Sequence, residues 1–451
     1  MPPSTDPNDE LPTLRQMPIV AEPDSLVSAT RPLRHEARSY FRDLGPGLIT
    51  GAADDDPSGI ATYSQAGAAF GYGFLWTALI SMPLMAAVQL MCARIGIVAR
   101  RGLASVLREH YPRWVLWMAC ALLLVGNTIN IAADLGGMAA ATTLLTGLPA
   151  VWFVPLYTAL ILALLVYASY ELMSKVLKWL SIALFAYVIA GVLASPSWRE
   201  ILRGTFLPAI VFDKDHLLMF VAILGTTISP YLFFWQAAQN AEQEDHLDQQ
   251  LRGQPRRAIQ RELRSARRDV NAGMFVSNAI MYFIILTTGA TLHAHGHFDV
   301  QTAEQAAAAL KPVAGNAAAL LFTLGLVGTG MLAVPVLAGS AAYAVAEAAA
   351  WRAGMDETPH SASHFYGVIA VAMLAGMALA FVHANAIKLL FWSAVINGLL
   401  APPIIILLLL ICNNPKVMGD FRNGPALNTL GGLAALAMTG GAIALGFSWF
   451  T

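Results

Sequence analysis

Three aspartates stand in a row at Asp54, Asp55 and Asp56, followed by Pro57, Ser58 and Gly59, inside a run that is otherwise apolar. A carboxylate at bilayer depth costs about 2.5–3.5 kcal/mol on insertion scales, so such residues are kept for a use. Pro57 cannot donate a backbone hydrogen bond and Gly59 tolerates unusual dihedrals, so the helix is expected to break there and free carbonyl oxygens. A second stretch, Gly225-Thr226-Thr227-Ile228-Ser229-Pro230-Tyr231, interrupts another apolar run with hydroxyls and a proline. Together they offer carboxylates, hydroxyls and carbonyls, an oxygen-donor set that suits hard cations such as Mg²⁺ and Mn²⁺. Neither break holds the Cys, Met or His that softer metals recruit. The bland alternatives are an acidic cap on an interfacial helix end and a simple proline kink.

The elements that position these residues follow from composition. Of 451 residues, 57% are hydrophobic and 12% charged, where a soluble domain carries about 25% charged residues. Apolar stretches near the roughly 20 residues needed to span a bilayer recur along the chain. They predict eleven helices over 43–69, 73–98, 115–146, 150–169, 174–194, 217–243, 270–294, 314–343, 364–384, 387–412 and 427–450. The breaks fall in the first and sixth, with four intact helices between. That spacing fits two inverted repeats with a site between discontinuous helices near the midplane. The expected division is a first repeat over 41–194, a second over 217–412, and an added helix over 427–450.

Residues 1–40 are polar, rich in Pro, Asp and Arg, without the apolar core of a signal peptide, and are expected to be a disordered cytoplasmic tail. With the N-terminus inside, all of the 27 Lys and Arg residues except Arg199, Arg203, Lys214, Lys311 and Lys388 fall on the inner side. The bias predicts a multi-pass protein of the cell's inner (plasma) membrane, N-terminus cytoplasmic and C-terminus outside. The densest basic stretch, Arg252 to Arg268, reads as a solvated linker that fixes topology, in preference to a nucleic-acid or specific lipid contact.

Other polar residues stand alone in apolar surroundings. Asp134 in the third helix is expected to be buried and functional. Asn397 in the tenth either faces the ion or makes an interhelical hydrogen bond, while Asn127 and Asn130 lean structural. His293, His295 and His297 read as a surface loop rather than a metal-capture site, and Cys92, Cys120 and Cys412 as small buried hydrophobes.

The stretch from Gly45-Pro46-Gly47 through Asp56-Pro57-Ser58-Gly59 to Gln65-Ala66-Gly67 resembles the first helix of the Nramp family of divalent metal transporters. Ala93-Arg94-Ile95-Gly96, Ala133-Asp134-Leu135 and Lys416-Val417-Met418-Gly419 extend the likeness from about Leu44 to Gly419. The resemblance implies a LeuT-like fold and metal transport by alternating access. The family's Asp-Pro-Gly-Asn is matched by Asp56, Pro57, Ser58 and Gly59, and its sixth-helix Met-Pro-His by Ser229, Pro230 and Tyr231. A second family histidine matches Gln236, and a third-helix glutamate matches Gly137. These departures are closest to the Nramp-related magnesium transporter branch, which implies Mg²⁺ and Mn²⁺ transport without tight proton coupling. Trimming Met to Ser229 and Asn to Gly59 leaves room for the water that Mg²⁺ retains.

The expected protein is therefore an all-α polytopic LeuT-like carrier, not an enzyme, with a divalent ion as cargo and no resident cofactor. Asp54, Asp55, Asp56, Gly59, Thr226, Thr227 and Ser229 are the expected ion contacts. Tyr231, Gln236, Asp134 and Asn397 are expected along the pathway, and Pro57 and Pro230 at the breaks. The alternatives are a proton-coupled Mn²⁺/Fe²⁺ transporter of the general Nramp type, a LeuT-like carrier of amino acids or other organic solutes, a passive cation channel, and an intramembrane protease using Asp56 and Asp134. The expected partners are the ion and the lipid bilayer, with no nucleic acid.

Overall fold

The first apolar run folds as two helices that meet at the aspartates. The computed structural model describes residues 46–167, 184–194, 197–208, 210–247, 255–355, 357–382 and 385–448. Helix α1 spans Pro46–Asp54 and α2 spans Pro57–Phe70. After them come α3 (Trp76–Ala99), α4 (Leu103–His110), α5 (Arg113–Thr146) and α6 (Ala150–Tyr167). Helices α7 (Phe185–Leu193) and α8 (Trp198–Phe206) lead to the second break, between α9 (Lys214–Thr227) and α10 (Pro230–Leu247). The remainder is α11 (Pro255–Thr291), a short α12 (Ala303–Ala308), α13 (Ala318–Ala348), α14 (Ser363–Val382), α15 (Ala386–Asn413) and α16 (Pro425–Ser448).

Nine helices among the described residues are long and apolar enough to cross a membrane, with α9 and α10 together forming one of them. The separate halves of the first run, 9 and 14 residues, fall short of a span on their own. Large apolar side chains such as Trp152, Leu156, Val371 and Leu436 are more than half exposed, as a surface facing hydrocarbon requires.

Two expectations change. The seventh helix begins at Pro255, well before 270, so most of the basic stretch is helix rather than linker. Ile259, Leu263, Ala266 and Val270 recur at helical spacing and pack inward, which stabilises a helix that a search for apolar runs overlooks. The short helices α4, α8 and α12 were not expected; each is too short to register as a span. Of the fifth predicted helix only its end, as α7, lies within the described residues, and the expected N-terminal tail lies outside them.

The broken helices sit at the centre of the packing. α1 and α2 both lie along α11, α9 lies along α15, and α5 packs on α13, α14 and α15. Close approach is set by glycine: a β-carbon on Gly51 would meet the Gly273 backbone at 2.5 Å, and one on Gly225 would overlap the Ala394 carbonyl.

Candidate cation site between the two helix breaks

Asp56 is the N-cap of α2. Its Oδ1 accepts from the Gly59 amide at 2.7 Å and the Ser58 hydroxyl at 2.7 Å, and its Oδ2 from Asn130 Nδ2 at 3.0 Å. Pro57 follows at the first helical position, where its missing N–H leaves no bond unmade. The break is therefore a normal helix start placed inside an apolar run.

The second break is finished from its other end. The Ser229 hydroxyl donates toward the Thr226 carbonyl at 2.8 Å and the Gly225 carbonyl at 3.1 Å, capping the C-terminus of α9. Thr227 donates to the Ile223 carbonyl at 3.0 Å. Both hydroxyls thus spend their hydrogens on α9 and keep lone pairs for other partners. Pro230 opens α10.

Side chains tie the breaks together. The Tyr231 hydroxyl donates to the Ala53 carbonyl at 2.9 Å, and the Thr226 hydroxyl donates to the Tyr63 phenol oxygen at 2.8 Å. Asp54, Asp55, Asp56, Ser58, Thr226, Thr227, Ser229 and Tyr231 are all buried.

The three aspartates divide between two neighbours. Asp54 Oδ2 and Asp55 Oδ1 share the Ser277 hydroxyl of α11, at 2.8 and 3.2 Å, whereas Asp56 turns to Asn130 of α5. Asp134, also on α5, is fully buried, and neither of its carboxylate oxygens has a hydrogen-bond partner among the described residues; Asp54 Oδ1 and Asn130 Oδ1 share that condition. Unpaired acceptors at this depth call for a cation or a proton. Among the described residues no group of three or more His, Cys, Asp and Glu side chains is placed to hold a metal ion. An ion between the breaks would draw on carbonyls, hydroxyls and its own water besides carboxylate.

Gln236 lies off the breaks. Its Oε1 accepts from the Thr50 hydroxyl at 2.6 Å and its Nε2 donates to Asn240 Oδ1 at 2.6 Å, linking α1 to α10. Asn397 is buried on α15 and its Oδ1 faces Gly126 of α5. Gly137, where the family pattern has glutamate, packs directly on Leu390: a β-carbon there would meet Leu390 Cδ1 at 2.8 Å, so a longer side chain requires the leucine to shift.

Sequence reading missed two participants. Asn130 leaned structural but bonds Asp56, while Asn127, one turn away, does hold α13 through the Leu337 carbonyl and the Ser340 hydroxyl. Ser277 gave no signal at all, being one serine in a long helix. His293 Nδ1 donates to the Ala68 carbonyl (2.8 Å) and the ring packs on Phe298, a structural role at the end of α2. The three cysteines are buried and free.

Chains of known kind are similar to this one in sequence and fold. The divalent metal cation transporter MntH of Yersinia enterocolitica is 26% identical over 423 residues, 91% of this chain and 95% of that one. The MntH of Xylella fastidiosa is 30% identical over 299 residues, 64% of this chain and 61% of that one. The crystal structure of an Eremococcus coleocola manganese transporter superposes with a TM-score of 0.75 at 18% identity, covering 93% of this chain and 89% of that one. MhsT in complex with L-phenylalanine gives a TM-score of 0.55 at 13% identity, covering 90% and 98%. The fold is thus that of an all-α polytopic membrane protein of the LeuT-like type. The Nramp family description, natural resistance-associated macrophage protein-like, matches residues 47–448, and the chain belongs to that family.

Proposed function

We propose that the protein carries divalent metal cations across the membrane by alternating access, with Mg²⁺ and Mn²⁺ as cargo and without tight proton coupling. The observation that supports this reading most is the meeting of two helix breaks around buried, partly unpaired carboxylates, with Tyr231 of one break bonded to Ala53 of the other. A divalent ion there neutralises acids that burial otherwise penalises. The relatives named as divalent metal cation and manganese transporters support the class of cargo.

Preference for Mg²⁺ rests on what the site lacks. Ser229 stands where the family has a thioether, and neither break segment carries a Cys, Met or His. Mg²⁺ keeps most of its water, so a site with one or two carboxylates and hydroxyls suits it. Loose coupling rests on Tyr231 and Gln236 replacing both sixth-helix imidazoles, with Tyr231 and Gln236 engaged in bonds between helices. In this reading 41–194 and 217–412 are inverted repeats, 427–450 is an added helix, the N-terminus is cytoplasmic and the C-terminus outside.

One observation favours a second reading, proton-coupled Mn²⁺ transport: the unpaired Asp134 carboxylate beside the site can hold a proton. Proteoliposome uptake of Mg²⁺, Mn²⁺, Ca²⁺ and Fe²⁺, with internal pH followed in parallel, separates the two. Saturable Mg²⁺ and Mn²⁺ uptake at constant internal pH is expected. Metal-dependent acidification would establish coupling, and no uptake of any divalent ion would overturn the proposal.

A further inference from the structure

The arginines of α11 form a stripe, and its direction identifies what it faces. Arg261, Arg264 and Arg268 are exposed and recur at helical spacing. Ile259, Leu263, Ala266 and Val270 lie two residues away in register, about 200° around a helix, and pack into the protein. The arginines therefore point away from the body of the molecule.

The helix continues without a break into the span over Ile259–His295, so the stripe can be followed into the membrane. Phe275 is 62% exposed, on the flank open to lipid. At 100° per residue, Arg268, Arg264 and Arg261 all fall within about 40° of the Phe275 direction. The stripe lies beyond the exposed Phe275 and is collinear with it. With a rise of 1.5 Å per residue, Arg268, Arg264 and Arg261 stand about 10, 16 and 21 Å from Phe275 along the axis. A headgroup layer of about 5–7 Å flanks each side of the hydrocarbon, and an arginine stem extends several ångströms to reach phosphate from either side.

Carboxylates among the described residues do not absorb these charges. Arg256 pairs with Asp420 at 3.0 Å, outside the stripe. Arg261, Arg264 and Arg268 have no carboxylate partner among the described residues. A guanidinium offers a planar fork of donors matched to phosphate oxygens.

We infer that Arg261, Arg264 and Arg268 form a binding surface for anionic phospholipid in the first lipid shell of the cytoplasmic leaflet. The leaflet rests on the orientation given under the proposed function; the lipid contact rests on the helix register. The site takes phosphatidylglycerol-type headgroups, whose acyl chains lie along Phe275 while the phosphates bridge successive arginines.

The test uses the full chain, purified and exchanged into nanodiscs of phosphatidylcholine with or without phosphatidylglycerol, with co-purifying lipid counted by native mass spectrometry. The triple variant Arg261→Gln/Arg264→Gln/Arg268→Gln is expected to retain phosphatidylglycerol less well, by about fivefold per arginine removed, each surface cation contributing about equally. Arg199→Gln/Arg203→Gln, altering arginines on α8, is expected to match wild type. Retention by the triple variant equal to wild type would overturn the inference, as would displacement of the lipid by millimolar inorganic phosphate, which would make the ligand a free anion. Should the triple variant not yield monodisperse protein, Arg268→Gln alone gives the same two outcomes. Lipid retention needs no transported ion, so its failure and a failure of metal uptake are separate results.

Discussion

The Tyr231 hydroxyl lies 2.9 Å from the Ala53 carbonyl, so the start of α10 is fastened to the end of α1 across the space between the two breaks. Both atoms are buried. Tyr231→Phe keeps the ring and removes only the donor. An unsatisfied buried carbonyl costs about 1–3 kcal/mol, so thermal unfolding in detergent should fall by several degrees, with divalent-ion affinity reduced. An unchanged melting temperature would show that the bond does not hold the breaks together.

Asp56 has two separable duties. Asp56→Asn keeps an oxygen for the Gly59 amide and loses the charge; Asp56→Ala loses both. Loss of an N-cap costs about 0.5–2 kcal/mol. Ion uptake should be abolished in both variants, whereas melting should drop clearly only in Asp56→Ala. Wild-type uptake by Asp56→Asn would remove the carboxylate from the transport scheme.

Ser277 is the shared donor to Asp54 and Asp55. Ser277→Ala leaves these carboxylates without that donor, and a bound cation then takes over more of their stabilisation. The melting temperature without metal should fall, and the stabilisation produced by saturating Mg²⁺ should be larger than in wild type. Equal metal-induced shifts would indicate that the ion does not reach Asp54 and Asp55.

Gly51 and Thr50 hold α1 in place, Gly51 by contact with Gly273 and Thr50 through Gln236. Gly51→Val cannot keep that contact and should push α1 off α11. With the native cysteines buried, a cysteine introduced by Ala53→Cys should then be alkylated faster than in the Gly51 background. Identical labelling rates would mean that α1 is held by other contacts.

Ser229→Met tests selectivity. The thioether offers a soft donor and removes the hydroxyl that caps α9. Competition uptake should shift toward Fe²⁺ and away from Mg²⁺, with a stability loss near 1 kcal/mol for the missing hydrogen bond. An unchanged ion profile would sever the link between this side chain and ion choice.

Much of this was legible in the residue order. Low charge and recurring apolar runs force a membrane fold, because hydrocarbon admits only segments that satisfy their own backbone. Prolines after Asp56 and Ser229 locate both breaks, since proline lacks the donor an intact helix needs. What could not be read were relations between distant segments. The meeting of Asp56 with Asn130, of Asp54 and Asp55 with Ser277, and of Thr50 with Gln236 depends on helices separated by many residues. The extension of α11 through its arginines was hidden for a related reason. Hydropathy averages over all faces of a helix, whereas packing requires only one apolar stripe, and only the tertiary structure decides which face is buried and which arginines are left exposed.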